Sequence, residues 1–433
     1  MRAVFKFFSS LRLTVTLLAF AMVLVFLATF EQQDWGVFEV QKRFFETLIC
    51  IWHWPARWWW ADSLQGVRIP LPGGFLIGGL LLINLCCAHF RYFRASWRKS
   101  GIVLIHAGVV LLIVSGFLTA YLQQENYMWI NVGGQSDYIE SFRERDLVFI
   151  DHTDPKTDTV VSIPVSRLDP TQPIHDPALP FTVKTVFYYP NSTFALRSQE
   201  PKANLPELPA DHGVATNRDL GVISLDYDYA NDDSNTASAI VEIDGAQGVI
   251  GKWLVSTLFD PRTPAPFFQD HLPQTFTVDG HTWEVALRPR REYLPYTIKL
   301  DKFIHEQYPG TDVPKRFESQ VHLENPASGE NRPVLIYMNH PLRYQGLTFY
   351  QQSFAQGDTA SQLQVVRNPG APLPYIAVLL VGIGMAVHFI LSLIAYMRRE
   401  KQSEAAAKDA PRAGKSREPG SPALPQTAAA RNR

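Results

Sequence analysis

Four long apolar blocks constrain this chain more than any other feature of its sequence. A bilayer core about 30 Å thick is crossed by a helix of about 20 mostly apolar residues. Blocks of this kind occupy residues 13–30, 69–90, 101–121 and 372–397, and the segments between them have the composition of ordinary water-soluble protein. The sequence therefore predicts a membrane protein with four transmembrane α-helices, three N-terminal and one C-terminal.

Basic residues predict the orientation of these helices. They stand at positions 2, 6 and 12 before the first block, cluster in residues 91–100, and follow the fourth block at 398–401. Because Lys and Arg are retained on the cytoplasmic side of a membrane, both termini and the 91–100 loop are expected inside. The large segment 122–371 is then extracytoplasmic, which means periplasmic for a bacterial inner membrane. No cleavage site is apparent after the first block, so it is interpreted as an anchor.

The predicted segments follow from these two patterns. In chain order they are a cytoplasmic N-terminus (1–12), span 1 (13–30), an extracytoplasmic loop (31–68), span 2 (69–90), a basic cytoplasmic loop (91–100), span 3 (101–121), a β-rich extracytoplasmic domain (122–371), span 4 (372–397) and a disordered cytoplasmic tail (398–433).

The segment between spans 3 and 4 is predicted to be β-rich. Alternating or β-branched runs recur at 181–189, 237–243, 274–287, 296–303 and 332–338. Within the third of these runs, Asp-Gly at positions 279 and 280 is a hairpin signal. Strands spaced in this way favour an antiparallel sandwich or barrel.

Several classes of function are disfavoured by composition and motifs. The formal net charge of -1 does not suit a binder of nucleic acid, whose domain is normally basic. Three cysteines, at positions 50, 86 and 87, form neither a CxxC nor a CxxCH motif, and no GxSxG or P-loop motif occurs in a usable context. The sequence therefore contains no stand-alone catalytic motif.

Three histidines lie within or beside the predicted spans, on the cytoplasmic side. At 1.5 Å per residue, His106 is about 8 Å and His388 about 13 Å deep, while His89 is at the mouth of span 2. Neutral imidazole is a ligand for haem iron and for several transition metals. The alternative is that each ring forms a hydrogen bond to a neighbouring helix.

Five tryptophans between positions 52 and 60 surround His53 in the first outer loop. Such a cluster, which includes Trp58 and Trp59, could stack on the edge of a porphyrin. It equally suits an aromatic belt at the outer surface of the bilayer, which is the favoured interpretation.

The chain resembles the ResB family, also called CcsB, a membrane component of cytochrome c maturation. SSLRLTVTLLAFAMVLVFLATFEQ (9–32) and RKSGIVLIHAGVVLLIVSGFLT (98–119) are similar to its first and third spans. NHPLRYQGLTFYQQSF (339–354) looks like its NxPLxYxGxxFYQ segment, and residues 363–385 look like its final turn and span. The resemblance covers most of the chain, with only a general similarity across 155–330.

This resemblance implies a role in handling haem. Proteins of the ResB type act with a ResC/CcsA-type membrane partner to pass haem to the outer face, where it is attached to the CxxCH thiols of apocytochrome c. The family's third-span histidine is implicated as an axial ligand, which transfers to His106, and His388 is a second candidate. His89, Trp58 and Trp59 are candidates for the path of haem, which is expected as a transient b-type substrate.

On this interpretation, the chain is at most one subunit of a holocytochrome c synthase. The alternative is a membrane scaffold of the same fold that assembles or stabilises the complex without binding haem.

Overall fold

The computed structural model of the chain describes residues 2–54, 66–92, 96–198, 205, 208–216, 220–259, 272–310, 314–355 and 358–409. These residues form two compact units. The larger comprises residues 1–93 and 110–375, and the smaller comprises 94–109 and 376–433, within the described ranges.

The N-terminal part of the chain is mainly helical. Its elements, in order, are α1 (Arg2–Phe8), α2 (Leu11–Val40), β1 (Ile49–His53), β2 (Arg68–Pro72), α3 (Gly74–Tyr92) and α4 (Ser100–Leu122).

A β-rich region follows α4, and a final helix, α5 (Pro372–Asp409), follows this region. Its strands are β3 (Gln124–Asn131), β4 (Gln135–Asp151), β5 (Thr159–Pro164), β6 (Thr182–Tyr189), β7 (Ser192–Leu196), β8 (Leu220–Ser224), β9 (Ser238–Gly245), β10 (Gly248–Ser256), β11 (Thr275–Val278), β12 (His281–Gln307), β13 (Pro314–Asn325), β14 (Glu330–Tyr337), β15 (Leu342–Tyr344), β16 (Leu347–Phe354) and β17 (Ala360–Arg367).

Among the described residues, four helices are long and apolar enough to cross a membrane, in agreement with the number predicted from hydropathy. They are α2 with the turn that extends it to Phe45, α3, α4, and α5 as far as Glu404. Large apolar side chains such as Phe389 (68% exposed) and Val378 (61% exposed) lie on their surfaces. Surfaces of this kind are stable when lipid covers them.

Three boundaries differ from the predicted ones. Helix α2 ends at Val40 rather than near position 30. Residues 69–72, predicted to begin span 2, belong to β2, because Pro70 and Pro72 favour extended backbone and the strand pairs with β1. Residues 398–409, predicted to be disordered, continue α5, since their Arg, Lys, Glu, Gln and Ala residues favour helix.

A buried asparagine on α3 holds the junction between α1 and α2. The Asn84 amide donates to the carbonyl oxygens of Phe8 (2.6 Å) and Ser10 (3.1 Å), and its oxygen accepts from the Thr14 hydroxyl at 2.6 Å. Asn84 is 3% exposed. The bond to Phe8 satisfies a carbonyl at the end of α1, and the bonds to Ser10 and Thr14 hold the start of α2, so Asn84 fixes where the chain enters α2.

Helix α2 breaks near its C-terminal end and contacts a loop of the β-rich region there. Gly36 has φ 65° and ψ 171°, which an L-residue adopts only under strain. A Cβ atom on Gly36 would lie 2.5 Å from the carbonyl oxygen of Tyr229. The adjacent Trp35 ring lies 4.8 Å from the Tyr229 ring, and the Arg43 guanidinium stacks 3.6 Å from the centre of Trp35.

A second cation–π contact lies beside the first. The Arg143 guanidinium is 3.5 Å from the centre of the Phe38 ring, and its Nε donates to Asp232 at 2.5 Å. The end of α2 is therefore fixed to the β-rich region by stacking, and the ion pair with Asp232 holds the Arg143 guanidinium in place.

A ten-stranded antiparallel sheet, organised around β4 and β12, dominates the β-rich region. At one end of this strand pair the order is β11-β12-β4-β5. At the other end it is β14-β13-β12-β4-β3-β17-β16-β15. The long strands β4 and β12 are shared by both ends, so one strand pair connects two cores.

The first core lies between one end of this sheet and a three-stranded sheet, β10-β9-β6. Phe149 of β4 and Val285 of β12 pack there with Val241 of β9 and Trp253 of β10. The three-stranded sheet buries its other face against the hairpin of β7 and β8. This end of the β-rich region is therefore a sandwich, which is one of the two arrangements predicted from the sequence.

The second core lies inside the rolled end of the large sheet. Ile336 of β14 and Leu342 of β15 belong to strands at opposite ends of the strand order, yet they share this core with Ile298 of β12. A bridge between Tyr337 and His340 connects the two edges. The rolled end resembles the barrel that was the other predicted alternative.

The five predicted β runs all form strands, and the predicted hairpin is present. Val278 pairs with His281, and the intervening Asp279 and Gly280 have φ values of 50° and 83°. Two consecutive positive φ values are typical of a type I′ turn, which Asp-Gly favours.

Replacing Gly36 by alanine is expected to destabilise the protein by about 1–3 kcal/mol, because the φ, ψ combination at this position is nearly restricted to glycine. The measurement is the midpoint of thermal unfolding of the full chain in detergent. The control is Gly133→Ala, at a positive φ where a Cβ would meet nothing within 4 Å. An equal loss in both variants would contradict a specific role for the contact with Tyr229.

Stability should depend on pH through His152. Its ring contacts Glu284 and Asp158, each at 2.8 Å, and these hydrogen bonds raise the pKa of His152 above 6.5. The protonated form is therefore favoured by folding, so its contribution is complete below about pH 6.5 and is lost as pH rises through the higher folded pKa.

The test compares the unfolding midpoints of the wild type and His152→Gln between pH 5.5 and 8.5. Their difference should shrink as pH rises, while His175→Gln, at an exposed ring that contacts Thr182, should show no such trend. A constant or growing difference for His152→Gln would contradict the assignment.

Candidate functional site

In the smaller unit, α4 and α5 pack closely through glycines. A Cβ on Gly101 would lie 2.5 Å from the backbone nitrogen of His388, and one on Gly108 would lie 2.8 Å from the carbonyl oxygen of Ala377. On the facing helix, a Cβ on Gly384 would lie 2.8 Å from the backbone nitrogen of Ile105. Small residues allow the helix backbones to approach in this way, as is common within membranes.

His106 lies in the N-terminal half of α4, and its ring is half-buried. Its Nδ1 lies 2.7 Å from the carbonyl oxygen of Ile102, one turn earlier. A carbonyl oxygen can only accept, so Nδ1 carries the proton in this hydrogen bond. In the neutral ring the lone pair is then on Nε2, which is the tautomer required of a histidine that binds iron through Nε2.

His388 has a different relation to the contact between the helices. Its backbone meets Gly101, and its side chain is exposed. At 100° per residue, His106 lies about 140–160° around α4 from Gly101 and Gly108, so it points away from the face that packs on α5. The structure therefore gives the two histidines different directions and does not bring them together around a shared ligand.

The remaining candidates are placed as follows. His89 lies in the last turn of α3 and is half-buried. Trp58 and Trp59 lie outside the described residues. Among the residues that the structure describes, no three His, Cys, Asp or Glu side chains are grouped in a way that could hold a metal ion.

A buried carboxylate at the far end of α2 was not predicted. Glu31 is 7% exposed, and its carboxylate accepts from the indole N–H of Trp52 at 3.0 Å. Burial, with the nearby charge of Glu31 as a smaller cause, raises the pKa of the Cys50 thiol to about 11. The sequence does show that Glu31 directly follows an apolar block. Its partner Trp52, however, is 21 positions away in a separate strand.

Comparison with known proteins supports the resemblance seen in the sequence. A profile described as the ResB-like family matches residues 272–361, which run from the start of β11 into β17. Protein NrfI of Wolinella succinogenes is 28% identical over 112 residues, which are 26% of this chain and 12% of that protein.

Two cyanobacterial relatives carry the name cytochrome c biogenesis protein CcsB. The relative from Synechococcus sp. is 29% identical over 133 residues, 30% of each chain, and that from Picosynechococcus sp. is 31% identical over 83 residues, 18% of each chain. The matched segments thus span less than a third of any of these three relatives.

The four apolar helices and the β-rich region between α4 and α5 define a multi-pass membrane protein with a large extramembrane part. Within that part, residues 272–361 are similar to the ResB-like family, and segments of the chain are similar to the two proteins named CcsB.

Enlarging Gly384 should disrupt the smaller unit. In Gly384→Leu the new side chain would begin 2.8 Å from backbone atoms of α4, so we expect a loss of about 1–3 kcal/mol, the usual cost of overpacking. The matched control is Gly382→Leu, two residues away, where a Cβ meets nothing within 4 Å. Equal unfolding midpoints for the two variants in detergent would contradict close packing of α4 on α5.

Proposed function

We propose that this chain handles haem in cytochrome c maturation, as one subunit of a membrane complex. Similarity to the ResB-like family supports the process, since two of the chain's relatives are named for cytochrome c biogenesis. In the proposal, the complex passes haem from the cytoplasmic side to the outer face, for attachment to the CxxCH thiols of apocytochrome c. The expected partner is a membrane protein of the ResC/CcsA type.

The arrangement in the membrane is part of the proposal. Both termini and the loop at 91–100 lie in the cytoplasm, and the β-rich region lies in the periplasm. The clusters of Lys and Arg beside α2, α3 and α5 support this orientation, because basic flanking residues stay on the cytoplasmic side.

His106 is the proposed axial ligand, and its hydrogen bond to Ile102 is the observation that carries the proposal. This bond fixes the ring orientation and leaves the lone pair on Nε2. Histidines that bind metals commonly donate their other ring N–H to a carbonyl or carboxylate, which raises the basicity of the ligating nitrogen. A haem bound here would be held on the cytoplasmic side of the membrane before transfer.

His388 is a second candidate ligand, with weaker support. Its exposed ring suits a ligand shared with a partner, because it does not converge with His106 within this chain. His89, Trp58 and Trp59 remain candidates for the path that haem follows. The chain supplies no catalytic group in this proposal, and the partner supplies the site of attachment.

Replacing His106 by alanine should reduce the haem that co-purifies with the chain and its partner. Loss of a supporting hydrogen bond alone weakens metal binding about 10–100-fold, so loss of the ligand should cost at least about 10-fold. The measurement is the Soret and reduced α-band absorbance per polypeptide in detergent. Added imidazole should restore the bands, since it can occupy the vacated position.

His175→Ala, at an exposed histidine of the β-rich region, serves as the control and should keep the full haem content. Full haem content in His106→Ala would reject His106 as the ligand. A complex that assembles fully without haem in the wild type would favour the alternative function, a scaffold that stabilises the maturation complex.

A further inference from the structure

A large cavity lies against the β-rich region, lined by residues between Trp129 and Tyr293. It has a volume of about 1310 Å³. Its lining includes the aromatic residues Trp129, Tyr138 and Tyr293 and the basic residues Arg288 and Arg291. Sites for small molecules typically measure about 300–1,000 Å³, so the space exceeds what a single side chain or a few waters would need.

A shift in strand register brings the two arginines together. Residues three apart on a regular strand point to opposite faces of a sheet. Between Pro289 and Arg291, however, the pairing of β12 with β4 shifts register, and both Arg288 and Arg291 line the cavity. The irregularity therefore places two positive charges on one wall.

The charge of Arg291 is compensated inside the protein. Its Nε donates to Glu140 at 2.9 Å, and the Glu140 side chain is 1% exposed. The Arg291 guanidinium also stacks 4.2 Å from the centre of the Tyr138 ring. Arg291 thus has a carboxylate partner and an aromatic support.

Arg288 has no comparable partner. No described carboxylate forms an ion pair with it, and its Nε is buried without a hydrogen-bond acceptor. Its Nη2 lies 3.4 Å from the Tyr293 hydroxyl, which is long for a hydrogen bond. Burial, with the nearby charge of Arg291 as a smaller cause, lowers the pKa of Arg288. By contrast, the neighbouring Arg290 bonds to both Asp146 and Glu144.

A buried donor without an acceptor is destabilising, and more so when it is charged. Folding therefore leaves a cation at Arg288 that an anionic ligand would stabilise. Arg288, Arg291 and Glu140 together carry a net charge of about +1, so a ligand beside Arg288 is better a monoanion than a dianion. Asp158 and Glu284 also line the cavity and further disfavour a highly charged anion.

We propose that Arg288, supported by Arg291, binds the carboxylate of an aromatic small molecule in this cavity. The planar guanidinium offers the paired N–H groups that fit a carboxylate. Trp129, Tyr138 and Tyr293 offer ring surfaces against which an aromatic body packs. The proposal does not require the haem function above, since the site contains neither His106 nor an iron ligand.

The test uses the full-length chain in detergent with 1-pyrenebutyrate as the probe, followed by fluorescence polarisation. The uncharged analogue 1-pyrenebutanol measures partition into the detergent and apolar binding. The wild type should bind the carboxylate, and Arg288→Gln should weaken binding by about 10- to 100-fold, as expected for a charged hydrogen bond of 1.5–3 kcal/mol. Arg288→Lys should give an intermediate loss of binding, because lysine keeps the positive charge but lacks the paired N–H groups of the guanidinium.

Arg332→Gln, at a half-exposed ion pair on β14, is the matched control and should bind the probe normally. Arg288→Gln should not lower the unfolding midpoint, since it removes a cation that folding leaves uncompensated. Benzoate should displace the probe, and inorganic phosphate at the same concentration should not.

Three results would overturn the proposal. They are equal binding of 1-pyrenebutyrate and 1-pyrenebutanol by the wild type, unchanged binding in Arg288→Gln, or displacement by phosphate as effective as that by benzoate. None of them bears on the haem content of the His106 variants, so this inference and the proposed function fail independently.

Discussion

The pairing of β4 with β12 is the interaction on which the β-rich region depends. Each strand supplies residues to both cores, such as Phe149 and Ile139 from β4. Between the cores, the buried carboxylates of Asp146 and Glu140 form ion pairs with Arg290 and Arg291, which fix the register of the two strands. Breaking one such pair would leave a buried charge, which is strongly destabilising. The strand pair therefore sets both the stability of the region and the position of the arginines that face the cavity.

In the membrane helices, the comparable constraint is the close approach of α4 and α5. The glycines on both helices leave no room for side chains between them, so bulkier groups must point elsewhere. His106 is directed away from the contact, and its own helix satisfies its Nδ1. Under the proposed function, Nε2 of His106 would bind a ligand that lies outside the α4–α5 pair, and a partner would supply the rest of the site.

Much of the architecture follows from local sequence patterns, and the remainder depends on distant pairing. Apolar length predicts the four helices, and alternation with Asp279-Gly280 predicts the strands and their hairpin, because both signals arise from neighbouring residues. The extension of α5 beyond position 397 was missed, since its polar composition suits both a solvated helix and a tail. Glu31 with Trp52, and Arg288 with Arg291, could not be paired from sequence, because a separate strand or a register shift brings each pair together.

The central claim is that Nε2 of His106 binds haem iron, and the most direct test replaces that ligand by another one. Electron paramagnetic resonance of the ferric haem in the complex would be compared between the wild type and His106→Cys. Thiolate and imidazole ligands give iron different electronic structures. We expect the spectrum to change from imidazole to thiolate ligation in His106→Cys. Haem that is retained with an unchanged spectrum in this variant would contradict the claim.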